Sequence, residues 1–186
     1  MAGYDYPAYL KCRNYTMTDQ QIQDLFYLVH DKSHIMQPGT VSPEVADLIN
    51  ALRTRQTVTL WRGLCKEDVV FLDSMFNARD AFRTWSCALS MTESKSYAKK
   101  FSHGYKTKAL LRVLCHRTKT TERPLGLNVV EALVANINTK DEGEVDMLAL
   151  ARIEQEWIFN RPRVAPVSHI VNKDGYSVYT VNLITL

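Results

Sequence analysis

The stretch that decides the fold runs Arg152-Ile153-Glu154-Gln155-Glu156-Trp157-Ile158-Phe159. Its apolar and aromatic residues predict a core strand over 152–159. Residues two apart in a strand point to the same face, so Glu154 and Glu156 are expected to project side by side. Paired carboxylates suit a reaction in which positive charge develops, such as glycosidic cleavage through an oxocarbenium-like state. For the E-x-E pattern alone, a solvent-facing edge of an amphipathic strand is the commoner explanation.

Two earlier segments place polar residues in or after predicted strands. In Leu60-Trp61-Arg62-Gly63-Leu64, an arginine and a glycine follow a strand predicted over 57–61. A guanidinium suits bidentate binding of a pyrophosphate, and glycine lets the backbone approach a ligand. In Thr84-Trp85-Ser86-Cys87-Ala88-Leu89-Ser90, a strand is predicted over 82–89, where the Ser86 hydroxyl can orient a neighbouring carboxylate. Taken singly, each segment is more typical of a structural role.

The remaining pattern predicts an α+β fold. Helices are expected to begin at Thr18 and at Ser42-Pro43, then around 68–75, after a Thr92 cap, and over the more ambiguous 127–135. Strands are expected over 109–115, 164–171 and 176–184, with Lys173-Asp174-Gly175 as the hairpin turn. The segment 138–144 is expected to be a charged loop.

The amino-acid composition limits which kinds of protein this chain can be. With 186 residues, 46% of them hydrophobic and 23% charged, the chain suits one soluble domain, helical over 1–56 and strand-rich over 57–186. The net charge of +3 is too small to predict a nucleic-acid binder by itself. The scattered cysteines, together with the lack of a signal peptide or membrane span, favour reduced thiols and a cytoplasmic location. These cysteines are Cys12, Cys65, Cys87 and Cys115.

Several other kinds of site have little support. The five histidines have no H-E-x-x-H or similar spacing, so no metal site is expected. Cys115 and His116 would point to opposite faces of a strand, which argues against a nucleophilic pair. Neither a G-x-G-x-x-G nor a P-loop pattern occurs, which excludes a Rossmann or P-loop nucleotide site. The basic patch of Lys95, Lys99 and Lys100 is compatible with a solvated helix face, or with attraction of a dinucleotide or nucleic acid.

Taken together and in this order, the three segments resemble the R-S-E class of ADP-ribosyltransferases. The nearest likeness is to the small ModA and ModB enzymes of T-even bacteriophages. It consists of the Trp61-Arg62-Gly63 step, a Ser96-Tyr97-Ala98 helix after the serine strand, and the Arg-x-Glu-Gln-Glu-Trp segment, and it covers about 57–186. The resemblance implies two small β-sheets that form an NAD⁺ cleft, with helices on the N-terminal side.

The resemblance also implies a mono-ADP-ribosyltransferase that modifies arginine, and a role for each matching residue. Arg62 would contact the NAD⁺ phosphate or nicotinamide ribose, and the Gly63 backbone would face the nicotinamide amide. Ser86 would orient Glu156, the catalytic carboxylate that binds the ribose and stabilises the oxocarbenium ion. Glu154 would assist deprotonation of the incoming guanidinium. The segment 145–153 would be a loop that contacts the target protein.

One departure and several alternatives accompany this interpretation. The family usually has Ser-Thr-Ser on the middle strand, whereas this chain has Ser86-Cys87-Ala88, so no role passes to Ala88. The implied substrate is NAD⁺ without a metal, and the implied target is a host protein of the translation or transcription machinery in the bacterial cytoplasm. The open alternatives are action on nucleic acid, use of NAD-capped RNA, or a non-catalytic phage-type protein that binds a host partner or nucleic acid.

Overall fold

The computed structural model describes residues 58–115, 126–136 and 140–184, together with Thr18 and Gln20. The helix predicted from Ser42, most of the helix predicted from Thr18, and Cys12 lie outside the described residues. Among the residues that are described, no helix is both long and apolar enough to cross a bilayer.

Strands and helices alternate along the described part of the chain. They are β1 (Val58–Gly63), α1 (Lys66–Ala78), β2 (Arg83–Thr84), β3 (Leu89–Thr92), α2 (Lys95–Gly104), β4 (Ala109–Cys115), β5 (Leu127–Asn128), α3 (Val129–Asn136), α4 (Glu142–Glu154), β6 (Glu156–Phe159), β7 (Arg163–Val171) and β8 (Ser177–Ile184). The strands form one eight-stranded sheet in the order β2-β7-β8-β4-β1-β3-β6-β5. Only the β4–β8 pair is parallel.

The centre of the sheet has a short junction. Strand β1 pairs with β4 from Val58 to Gly63, but its pairing with β3 is limited to Trp61 opposite Thr92. The α+β class predicted from the sequence is confirmed. The two expected sheets, however, are hydrogen-bonded to each other at this junction and form a single sheet. Strand β3 continues antiparallel to β6, from Leu89 opposite Phe159 to Thr92 opposite Glu156.

The main apolar core lies between the sheet and α1. Leu72 and Met75 of α1 are fully buried against Leu60, Leu111 and other strand residues. Burial of one such side chain stabilises the fold by roughly 1.5–3 kcal/mol. Because α1 follows β1 after only two residues, this packing also fixes the carboxyl end of β1.

Helix α2 lies directly on that end of β1. A Cβ added at Gly63 would be 2.3 Å from the Ala98 carbonyl oxygen and 2.5 Å from the Ser102 amide nitrogen. Only glycine therefore allows the two backbones to approach this closely. The helix begins after Ser94, whose hydroxyl accepts a hydrogen bond from the Tyr97 amide at 3.2 Å. The predicted cap, Thr92, is instead the last residue of β3.

The strand predicted over 82–89 is wrong for its middle part. Within this region, Arg83–Thr84 and Leu89–Thr92 pair in ladders, while 85–88 form an irregular connection with a bend at 86–87. Trp85 and Cys87 are buried in the main core, so the apolar pattern predicted the burial of these two side chains correctly. Burial alone does not require a hydrogen-bonded strand, and Ser86 is exposed in this connection.

The strand predicted over 152–159 is correct only from Glu156 onward. Helix α4 extends to Glu154, and Gln155 then takes a left-handed conformation with φ of 47°. The expected target-binding loop over 145–153 is consequently helical. The charged segment 138–144 is also partly helical, because α4 begins at Glu142 with Asp141 as its cap.

The other helices and strands predicted within the described residues are confirmed. Strand β4 spans the predicted 109–115, and β7 and β8 match their predicted segments within a residue. Gly175 has φ of 76° in the hairpin turn between β7 and β8, which explains the glycine there. The ambiguous segment 127–135 is mainly helical, since α3 begins at Val129.

Candidate active site

A pocket opens where β1, β3, α2 and the end of α4 meet. Four aromatic residues, two carboxylates and an arginine contribute to its lining: Trp61, Tyr97, Phe101, Tyr105, Glu154, Glu156 and Arg62. Gly63 and Ser90 also line it. Of the residues predicted for the site, Arg62, Gly63, Glu154 and Glu156 come together here, and Ser86 does not.

Glu156 is the deepest carboxylate of the pocket, with 1% of its surface exposed. The Ser90 hydroxyl donates a short hydrogen bond to its Oε1 atom. Ser90 pairs with Ile158 and Thr92 pairs with Glu156, so Ser90 and Glu156 are diagonal neighbours on adjacent strands. The sheet register therefore brings a hydroxyl to a buried carboxylate and fixes its orientation.

Glu154 reaches the same pocket from the end of α4, and 5% of its surface is exposed. The Tyr97 hydroxyl donates to its Oε1 atom at 2.5 Å, and the Thr92 hydroxyl donates to its carbonyl oxygen at 2.5 Å. The expectation that the two glutamates project from one strand is wrong. They converge because the left-handed turn at Gln155 separates a helix end from a strand start.

Arg62 connects three elements from the pocket wall. Its Nε atom donates to Asp68 of α1 at 3.1 Å, and its Nη1 atom donates to the Ser90 carbonyl oxygen at 3.1 Å. Only 8% of its surface is exposed. An ion pair this buried is costly to break from one side, because the remaining charge would be left uncompensated. Arg62 therefore holds the segment of β3 that carries Ser90.

The residue expected to orient Glu156 was assigned four positions too early. Ser86 is exposed in the connection before β3 and does not line the pocket. The hydroxyl beside Glu156 belongs to Ser90, which sequence reasoning missed. The available signal was Ser90-Met91-Thr92, which keeps two hydroxyls two residues apart shortly before Ser96-Tyr97-Ala98. On that alignment, Ser90 and Thr92 supply the two outer hydroxyls of the Ser-Thr-Ser pattern, and Met91 stands at its middle position.

Cations lie over the aromatic rings at the pocket. The Lys95 Nζ atom is 4.8 Å and the Arg112 Cζ atom 5.8 Å from the centroid of the Trp61 ring. Lys100 lies 5.8 Å from the Tyr97 ring. In the described part of the chain, none of these three cations has an ion-pair partner. Lys99, in contrast, pairs with Asp174 at 3.3 Å.

Tyr97 retains its proton in this setting. Burial raises its pKa well above the ordinary value, and the hydrogen bond to Glu154 and the charges of Glu154 and Glu156 raise it further. Its hydroxyl is therefore a hydrogen-bond donor throughout the physiological pH range.

The described cysteines have no feature of a nucleophile. Cys65, Cys87 and Cys115 are free and buried. Burial raises the pKa of Cys65 to about 11 and that of Cys115 to about 12, and it also raises the pKa of Cys87. These groups remain thiols, which are poor nucleophiles. Across 58–115, 126–136 and 140–184, no group of three or more His, Cys, Asp or Glu residues is placed to hold a metal ion.

Solved structures with a similar fold are ADP-ribosyltransferases. Plx2a, a toxin from Paenibacillus larvae, has a TM-score of 0.59 and 9% identity, over 96% of this chain and 90% of that one. Vis from Vibrio splendidus, solved with agmatine, has a TM-score of 0.59 and 13% identity over 95% and 80%. Exoenzyme S from Pseudomonas aeruginosa, solved with human 14-3-3 protein beta and carba-NAD, has a TM-score of 0.56 and 12% identity over 89% and 74%.

No family model matches the sequence, and a search of curated proteins found no significant match. At identities this low, the structural likeness establishes the fold. The chain has the ADP-ribosyltransferase-like α+β fold that the sequence segments indicated.

Proposed function

We propose that this chain is a mono-ADP-ribosyltransferase that transfers ADP-ribose from NAD⁺ to a protein, with Glu156 as its catalytic carboxylate. The observation that carries the proposal is the hydrogen bond from Ser90 to the buried carboxylate of Glu156 in a pocket of this fold. A carboxylate fixed in this way is preorganised to stabilise positive charge that develops nearby.

The chemistry follows from that charge. When the bond between nicotinamide and ribose breaks, nicotinamide leaves with the bonding electrons and the ribose becomes oxocarbenium-like. Glu156 would stabilise this cation and hold a ribose hydroxyl, while Ser90 keeps the carboxylate in place. An acceptor nitrogen then bonds to the ribose carbon and loses a proton. If water replaces the acceptor, the product is free ADP-ribose.

Aromatic rings and cations at the pocket support a dinucleotide with two phosphates as the ligand. Trp61 and Tyr97 provide aromatic surface, and Lys95 and Arg112 provide positive charge at the Trp61 ring. From Ser94 to Cys115, which includes α2 and β4, the sequence contains no Asp or Glu, and this strengthens the positive potential near the Trp61 ring. Arg62 would contact the phosphate or nicotinamide ribose while it holds β3, and the Gly63 backbone would face the nicotinamide amide.

We further propose arginine as the acceptor. Glu154 lies in the pocket beside Glu156, where a carboxylate can accept the proton of an incoming guanidinium. Vis, which has a similar fold, was solved with agmatine, a molecule that ends in a guanidinium group. Helix α4, which ends at Glu154, exposes the apolar residues Val145 and Ile153, with 41% and 66% of their surface accessible. These exposed apolar side chains would contact the target protein.

The likeness to phage enzymes supports a bacterial target in the translation or transcription machinery. The test is to incubate the wild-type chain and Glu156→Gln with labelled NAD⁺ and a bacterial lysate, followed by mass spectrometry of the labelled proteins. Labelled arginines with the wild-type chain only are expected. Label on another residue type would overturn the arginine assignment, and an absence of NAD⁺ binding would overturn the function. A parallel incubation in which NAD-capped RNA replaces NAD⁺ tests whether the chain also uses this larger molecule as the donor of the ADP-ribose group.

A further inference from the structure

The two pocket carboxylates have different hydroxyl partners, and this difference assigns a role to Tyr97. We propose that Tyr97 is a positioning residue that holds Glu154 toward the acceptor, and thereby sets how ADP-ribose is divided between an acceptor nitrogen and water. The inference rests on the proposed function and adds a specificity-determining residue to it.

The contact between the two side chains is direct. The Tyr97 hydroxyl donates to Glu154 Oε1 at 2.5 Å, and both residues line the pocket. Only 5% of the Glu154 surface is exposed, so water is a limited substitute for this donor. A buried carboxylate that loses a hydrogen bond pays a desolvation cost, and its side chain then samples other rotamers.

Tyr97 is itself held firmly. Its ring packs edge-on against Phe101, with centroids 5.1 Å apart and an angle of 74° between the planes. Its amide donates to the Ser94 hydroxyl at the start of α2. Lys100 lies over the ring at 5.8 Å. These contacts fix the position of the hydroxyl before any ligand binds, which is what a positioning residue requires.

The hydroxyl group that contacts Glu154 is different from the one that contacts Glu156. Ser90 of β3 donates to Glu156, whereas Tyr97 of α2 donates to Glu154. The turn between the glutamates is fixed through the backbone, by the Thr92 hydroxyl on the Glu154 carbonyl and by the Gln155 amide on the Ala151 carbonyl at 2.7 Å. Loss of the Tyr97 hydroxyl therefore removes a hydrogen bond from the Glu154 side chain and leaves the hydrogen bond from Ser90 to Glu156 in place.

This separation matters because the two steps use different carboxylates. Bond cleavage depends on Glu156, and the step that follows forms a ribose–nitrogen bond while a guanidinium proton passes to Glu154. Proton transfer requires the carboxylate within hydrogen-bond distance of the acceptor nitrogen. A Glu154 that samples other rotamers slows this step more than it slows attack by water.

The test compares Tyr97→Phe with the matched control Tyr179→Phe. The Tyr179 hydroxyl also donates to a carboxylate, Oδ1 of Asp73 at 2.5 Å, but neither Tyr179 nor Asp73 lines the pocket. Each variant is incubated with NAD⁺ and agmatine, and ADP-ribosyl-agmatine and free ADP-ribose are measured separately. We expect Tyr97→Phe to lower the ratio of transfer to hydrolysis about tenfold, the loss typical of one hydrogen bond to a charged group. Phenylalanine keeps the ring contact with Phe101, so the variant is expected to fold.

A double-mutant cycle makes the test specific. If Tyr97 acts through Glu154, Tyr97→Phe causes no further fall in transfer when Glu154→Gln is already present. Equal loss of both products, additive effects in the cycle, or the same change in Tyr179→Phe would each overturn the inference. A wild-type chain that releases no nicotinamide overturns the proposed function and the inference with it. An active chain with an unchanged product ratio in Tyr97→Phe overturns the inference alone.

Discussion

The Ser90 hydroxyl donates a hydrogen bond to Oε1 of Glu156, which joins β3 to the first residue of β6 inside the pocket. The Ser90 carbonyl in turn accepts a hydrogen bond from Arg62, whose Nε atom is paired with Asp68. An arginine, a serine and a glutamate from three strands therefore form one connected chain of contacts. In such a chain, each group fixes the orientation of the next.

The first prediction concerns the serine. Ser90→Ala removes the donor to the buried Glu156 carboxylate and should lower the kcat for nicotinamide release about 10- to 100-fold, since a hydrogen bond to a charged group contributes about 1.5–3 kcal/mol. Ser86→Ala is the control and should change the rate less than twofold, because its side chain is exposed outside the pocket. If Ser86→Ala lowered the rate more than Ser90→Ala does, the assignment of Ser90 as the residue that orients Glu156 would be contradicted.

The second prediction concerns the contact between β1 and α2. Gly63→Ala would place a Cβ atom 2.3 Å from the Ala98 carbonyl oxygen, so the helix must shift. We expect stability to fall by about 2 kcal/mol or more, as other overpacked sites do. Gly104→Ala is the matched control, since nothing lies within 4 Å of its added Cβ atom. Urea denaturation of both variants gives the comparison, and equal midpoints would contradict the packing argument.

The third prediction concerns the cations at the Trp61 ring. The double variant Lys95→Ala, Arg112→Ala removes positive charge where the diphosphate is proposed to bind. The KM for NAD⁺ should rise about tenfold with a much smaller change in kcat, because the loss affects binding in the ground and transition states alike. Inhibition by ADP should weaken in parallel. Lys173→Ala, in the β7–β8 turn, removes a charge away from the pocket lining and should leave the KM unchanged.

The fourth prediction concerns the pH dependence of stability. Burial, and then the charge of Glu93, raises the pKa of Glu131 to about 7 from its ordinary value of 4.5. The folded state therefore binds the proton more tightly than the unfolded state, so stability falls as pH rises from about 4.5 to about 7. Glu131→Gln mimics the protonated acid and should be more stable than wild type at pH 8, by about 1–2 kcal/mol after allowance for partial exposure. Thermal unfolding at pH 5 and pH 8 checks this, and an equal difference at both pH values would contradict it.

Some elements of the strand-rich part were predictable because their signals are local. Strand β4 has a nearly continuous apolar run, and the β7–β8 hairpin has a glycine at the position with positive φ. Arg62 and Gly63 could be placed at the end of a strand because the β-branched and apolar run of 57–61 leads into them. In these elements, residue pattern and backbone geometry agree.

Two features were not predictable, for different reasons. The change from helix to strand at Gln155 depends on a left-handed conformation in a residue other than glycine, which tertiary contacts impose and local sequence does not announce. The assignment of Ser86 failed because buried Trp85 and Cys87 imitate a strand pattern without a ladder. The hydroxyl that contacts Glu156 is determined by the β3–β6 register, which is a long-range property.

The most direct test of the central claim is nicotinamide release from NAD⁺ by the wild-type chain, Glu156→Gln and Glu154→Gln, with folding of each confirmed by circular dichroism. The wild-type chain should release nicotinamide, and Glu156→Gln should lower the rate by at least about 100-fold, as loss of a group that stabilises transition-state charge does. Glu154→Gln should retain hydrolysis while it loses transfer to arginine. Undiminished release by Glu156→Gln would contradict the account, and equal loss in both variants would contradict the role of Glu154.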